Sequence, residues 1–183
     1  MRAKWLGVAG VTALAGLGLG CGPGHAIFNV DVYSFIKGTG KDTIPYAVPP
    51  ASNVTFNQFQ KIRLPGAGGS LVDSIIVFGT DTLRNQTGSG TVGFQLYLAA
   101  DSAGTYLPGA LALTVTPKPV ASTSVVPDTI RGKLAPAVNP LFTKDSVWAR
   151  FAAVGSNPNA TLLAGKMVLA SLLLTVVMNA KLL

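Results

Sequence analysis

Few side chains in this protein are equipped for acid–base or metal chemistry. It has one histidine (His25), one cysteine (Cys21), seven aspartates and no glutamate. A Ser-His-Asp triad would have to use His25, which stands ahead of the first patterned segment. Zinc sites draw three or four ligands from Cys, His and carboxylates, and a Cys/His set cannot be assembled here. Hydrolysis of glycosides by paired carboxylates would need two aspartates acting together, and no two are joined by a recognisable spacing. The sequence therefore predicts no catalytic residue, no metal site and no cofactor.

Several short motifs fail on their missing residues. Gly38-Thr39-Gly40-Lys41 resembles the end of a phosphate-binding loop, but that loop needs glycine where Phe35 stands and Ser or Thr where Asp42 stands. Gly66-Ala67-Gly68-Gly69-Ser70 lacks the lysine and is read as a turn, and Gly68-Gly69-Ser70-Leu71-Val72 misses the second glycine of a nucleophile elbow. Asp101-Ser102-Ala103-Gly104-Thr105 and Asp81-Thr82 carry oxygens of the kind calcium needs, and as turn residues they need no metal. Asn53-Val54-Thr55, Asn85-Gln86-Thr87 and Asn159-Ala160-Thr161 match a glycosylation triplet and read as polar turns.

Two aromatic residues stand where a ligand could stack. Trp148 and Arg150 alternate with Val147, Ala149 and Phe151, and Tyr97 alternates with Leu96 and Leu98. On a strand, successive side chains point to opposite faces, so Trp148, Arg150 and Tyr97 oppose a core face. An outward Trp or Tyr joins a large apolar body to a polar handle, which suits a sugar ring. The alternative is that a second layer or a loop covers them.

The elements that would position these residues read as strands. Val92, Phe94, Leu96 and Leu98 alternate with Gly93, Gln95 and Tyr97, as in a half-buried strand. Segments rich in β-branched and aromatic residues recur at 28–32, 54–64, 73–78, 91–99, 110–116, 129–134 and 147–151, separated by Gly, Pro and Asn clusters. Ile44 to Pro50 carries three prolines and reads as an edge or a connection. Residues 73–99 read as two strands joined by a polar loop at Asp81–Gly90, and 144–178 echoes that order, each unit suggesting a hairpin. Lys166 to Met178 is apolar on both strand faces, so periodicity leaves strand and buried helix open; the β-formers Val168, Thr175, Val176 and Val177 favour a central strand. The expectation is an all-β antiparallel sandwich of about eight strands, jelly-roll-like or immunoglobulin-like.

The chain opens with Arg2 and Lys4, then an uncharged apolar run from Trp5 to Leu19, then Gly20-Cys21-Gly22-Pro23-Gly24. A run of about 15 residues is short for a permanent span, which needs ~20, and the three zones are those of a secretory leader. Leu17-Gly18-Leu19-Gly20-Cys21 resembles a bacterial lipobox, with Gly18 where Leu is usual and Leu19 where Ala or Ser is usual. The resemblance covers the leader only. It implies cleavage before Cys21, lipid attachment to that cysteine and, with Gly22 rather than Asp following, a lean toward the outer membrane if there is one. The rival is an ordinary cut after Gly24-His25-Ala26, which would release the protein. The expected organisation is a signal peptide at 1–20, a lipidated cysteine and Gly/Pro spacer at 21–27, and one domain at 28–183.

The net charge is +7, or +5 without Arg2 and Lys4. The cations are scattered singly or as the pairs Lys61/Arg63 and Arg131/Lys133, without the clustered footprint that nucleic-acid binding requires. The resemblance of the leader to a lipobox, together with the missing catalytic residues, implies a non-enzymatic envelope lipoprotein with a structural, adhesive or binding role, partnered by the membrane and by envelope polysaccharide or protein. A carbohydrate-binding module is the alternative.

Overall fold

The computed structural model describes residues 25–66 and 71–179; Cys21 and the leader lie outside them. Ten strands form two antiparallel sheets packed face to face: β1 (His25–Asp31), β2 (Thr43–Val48), β3 (Ser52–Arg63), β4 (Leu71–Thr87), β5 (Gly90–Ala99), β6 (Leu111–Thr114), β7 (Lys118–Val120), β8 (Val125–Lys133), β9 (Ser146–Asn157) and β10 (Leu163–Asn179). The first sheet runs β1-β10-β4-β8, with β2 also on β10; the second runs β3-β9-β5-β6, with β7 also on β5. β1 pairs with residues 173–179 of β10 and β2 with residues 163–168, end to end along one side. β6 and β7 share one side of β5 in the same way.

Ten strands thus fill eight positions, and the chain crosses between the sheets from β2 through β5 and again from β7 through β10. This order is a jelly roll, which settles the choice left open with the immunoglobulin-like sandwich. β1 starts at His25, three residues ahead of the domain start read from the sequence.

Hydrophobic burial explains most of the strands. Val92, Phe94, Leu96 and Leu98 of β5 are buried against Ala149, Phe151 and Ala153 of β9, as the alternation predicted. The ambiguous segment 166–178 is a strand, and the structure shows why its period was unreadable. Leu163, Met167 and Leu169 point inward, but after a register shift between Leu169 and Ser171 the inward set becomes Leu172, Leu174, Val176 and Met178. A bulge adds one residue and flips the phase.

Two readings are corrected. The polar stretch from Asp81 is not a loop until after Thr87: β4 runs through it, paired on one side with β10 and on the other with β8. Its inward positions are Asp81, Leu83 and Asn85, so two polar side chains break the apolar alternation while the backbone ladder continues. Asn85 is consequently part of a buried strand rather than a turn: its amide donates to the carbonyls of Thr87, Gly88 and Ala121 and its oxygen accepts from the Tyr46 hydroxyl. Nor are the two echoing units hairpins. β4 and β5 lie in different sheets, as do β9 and β10, and each unit pairs with the other: β4 with β10, β5 with β9.

Candidate functional site

The outer face of the second sheet gathers the aromatic residues. Across β3, β9 and β5 the register aligns Phe59, Arg150 and Tyr97 in one row and Lys61, Trp148 and Ala99 in the next. The sequence brought Trp148, Arg150 and Tyr97 to an outward face, and the structure places all three there.

Arg150 is nevertheless only 6% exposed. After β5 the chain turns at Asp101, whose Oδ1 accepts the backbone N–H of Gly104 at 2.6 Å. A short 3₁₀ turn at Ala103–Tyr106 then folds back over the sheet. The guanidinium carbon of Arg150 sits 3.5 Å from the Tyr97 ring centroid and 4.7 Å from that of Tyr106. Its Nε and Nη2 donate to the Thr105 carbonyl at 3.2 and 2.8 Å, and Nη1 donates to Asn57 Oδ1 at 2.9 Å. A planar cation stacked on aromatic faces and held through several N–H groups is a strong local brace.

The brace changes the reading of Tyr97. One face of its ring is taken by Arg150, and its hydroxyl donates to Gln95 Oε1 at 2.6 Å. Trp148 is half-buried one row away. The more open aromatic is Tyr106, 63% exposed, with its ring centroid 5.8 Å from Phe59. Phe59 and Tyr106, with Ser102 and Ala103, line a shallow depression of about 300 Å³. Neither ring was singled out by the sequence reading: Phe59 sits in a mixed polar segment and Tyr106 in a turn. The turn does carry a signal, since an aromatic just after Asp101-Ser102-Ala103-Gly104 has no strand face in which to hide. The same turn uses Asp101 as its own backbone acceptor, and Thr105 Oγ1 donates to the Ser102 carbonyl.

A second concavity, an open cleft of about 620 Å³, lies among Thr87, Gly88, Ser89, Ser122, Thr161 and Leu162. It offers hydroxyls and backbone but no titratable side chain. Among the described residues, no three His, Cys, Asp or Glu come together as a metal site would require.

The notable ionisable group is interior. Asp81 is 2% exposed, and neither carboxylate oxygen has a hydrogen-bond partner. It pairs across the ladder with Asp128, whose own carboxylate lies 3.5 Å from Lys118 Nζ. Burial, and then the neighbouring Asp128 charge, push the Asp81 carboxyl up to about 6. Asp81 is thus held mainly by its backbone ladder, in a place where a charge is costly.

No protein-family model and no curated protein matches this chain. Among solved structures it is similar to an infectious bursal disease virus structure (Gx strain) at 10% identity and a TM-score of 0.42, covering 92% of this chain and 37% of the viral one. A second such structure, of the Gt strain, gives 9% identity and a TM-score of 0.41, covering 87% and 36%. The chain therefore spans little more than a third of the viral chains it matches. It also resembles TmCBM61 in complex with β-1,4-galactotriose, at 9% identity and a TM-score of 0.30, covering 81% of this chain and 86% of that one.

Proposed function

We propose that this chain is an exported bacterial lipoprotein, held to the envelope by acyl chains on Cys21, whose jelly roll binds a partner and carries out no catalysis. The anchor is supported by the leader: a basic start, an apolar run of about 15 residues and a lone cysteine behind a small residue. Each buried acyl methylene contributes about 0.8 kcal/mol, so two or three chains make the attachment durable.

The observation that carries the binding role is the braced aromatic surface on the outer face of the second sheet. Phe59 and Tyr106 are backed by Arg150, which is fixed by three hydrogen bonds and two rings. A surface already rigid before binding loses less freedom when a ligand arrives. The fitting ligand class is an extended envelope polysaccharide whose sugar faces stack on Tyr106, Phe59 and Trp148, with Lys61 beside Trp148 for an acidic group.

Two measurements test the reading separately. Palmitate labelling should be strong in the wild type and lost in Cys21→Ala; equal labelling rejects the anchor. Glycan-array binding should fall on Trp148→Ala and on Tyr106→Ala with the fold intact by circular dichroism. A blank array for the wild type rejects the polysaccharide ligand and leaves a structural or protein-binding role.

A further inference from the structure

The outer face of the first sheet differs from that of the second. Its register aligns Asp31, Leu173, Phe78 and Arg131 in one row across β1, β10, β4 and β8. The next row is Asn29, Thr175, Ile76 and Lys133, and the one after it Ile27, Val177 and Ser74. Ile27, Ile76, Phe78 and Leu173 are exposed, Phe78 by 52%. Contiguous exposed apolar side chains on a soluble domain mark a contact surface.

The charges on this face say what kind of contact. Arg131 and Lys133 border the apolar rows along β8, and further along the same face Lys166 and Arg84 stand opposite each other on β10 and β4. All four are exposed, against one acidic side chain, Asp31. Apolar side chains flanked by cations on the β8 side, with two more further along the face, complement a layer that is oily within and negative at its surface. The tether points the same way. Four Cα steps separate Cys21 from His25, at most about 14 Å of chain, and β1 then carries Ile27 on this face.

We propose that the outer face of the first sheet lies against an anionic lipid bilayer, with Phe78, Ile76, Leu173 and Ile27 entering the interface and Arg131 and Lys133 meeting headgroup phosphates. The tether in this picture rests on the lipoprotein reading above; the face itself does not. The orientation turns the Phe59–Tyr106–Trp148 surface, on the opposite sheet, away from the membrane.

Tryptophan reporters on opposite sheets test it. The processed full chain is reconstituted into vesicles of brominated phosphatidylcholine with or without phosphatidylglycerol. F78W/W148F places the reporting indole on the docking face, the wild type reports from Trp148, and W148F alone, which has no tryptophan once Trp5 has left with the leader, supplies the blank. The expected result is that the F78W indole is quenched in phosphatidylglycerol vesicles while Trp148 is spared. Adding R131Q/K133Q should lower the docked-to-undocked ratio by about 25-fold, roughly fivefold for each basic side chain near an anionic surface. All the substituted docking-face residues are exposed, and an unchanged melting midpoint shows that the variants fold.

Equal quenching of the two indoles, quenching indifferent to phosphatidylglycerol, or burial of the F78W indole by self-association alone overturns the docking face. Intact mass separates this from the anchor. Acyl chains present with an unquenched F78W indole sink the docking face and leave the tether. No acyl chains, with quenching on added anionic vesicles, does the reverse.

Discussion

Replacing Asp81 by asparagine should make the protein more stable at pH 8 and leave it unchanged near pH 4. The carboxyl is buried with both oxygens unpartnered, beside Asp128, and its folded pKa lies at about 6 against an ordinary 3.8. The folded state therefore holds the proton more tightly than the unfolded one. Stability associated with protonated Asp81 is fully present below pH 3.8 and is lost as pH rises through about 6. The gap amounts to about 3 kcal/mol, at about 1.4 kcal/mol per tenfold change in proton affinity. Asparagine has nearly the same shape, carries no charge, and has an amide that can donate to Asp128. At pH 8 the variant should recover most of that energy, a rise in melting midpoint of about 6–12 °C for a domain of this size. Urea or thermal unfolding of wild type and D81N at pH 4, 6 and 8 measures it. An advantage of the same size at pH 4 and pH 8, or a less stable variant at pH 8, would refute the reasoning.

Two further outcomes follow from the geometry. Arg150→Ala should cost about 3 kcal/mol in urea unfolding, because it strips charged hydrogen bonds from Thr105 and Asn57, and Arg150→Lys should restore little, since lysine lacks the planar fork that stacks between two tyrosines. Gly79→Ala should cost about 1–3 kcal/mol in the same assay, because a Cβ there would stand 2.5 Å from the Ser171 carbonyl oxygen, at the bulge of β10.

What the sequence made legible was local. The buried set of β5, from Val92 to Leu98, could be read because its period holds without interruption. In β10 the bulge near Ala170 reverses the inward set midway, so an averaged pattern looks apolar on both faces. In β4, Asp81 and Asn85 occupy interior positions, and only pairing with strands about 45 and 85 residues onward explains why a polar stretch stays extended. The site followed the same rule. That Trp148 and Tyr97 face outward was visible from alternation, whereas the Arg150 brace depends on the register of β9 against β5 and on a turn folding back, neither of which a single strand encodes.

The strand on which the whole first sheet leans, β10, comes late in the chain. Until its 17 residues have been made, β1 and β2 have no neighbour and β4 has one of its two. Such a topology forms through distant contacts and so forms slowly. A growing polypeptide of this design cannot close half of its sandwich before β10 has emerged to bridge β1 and β2 to β4.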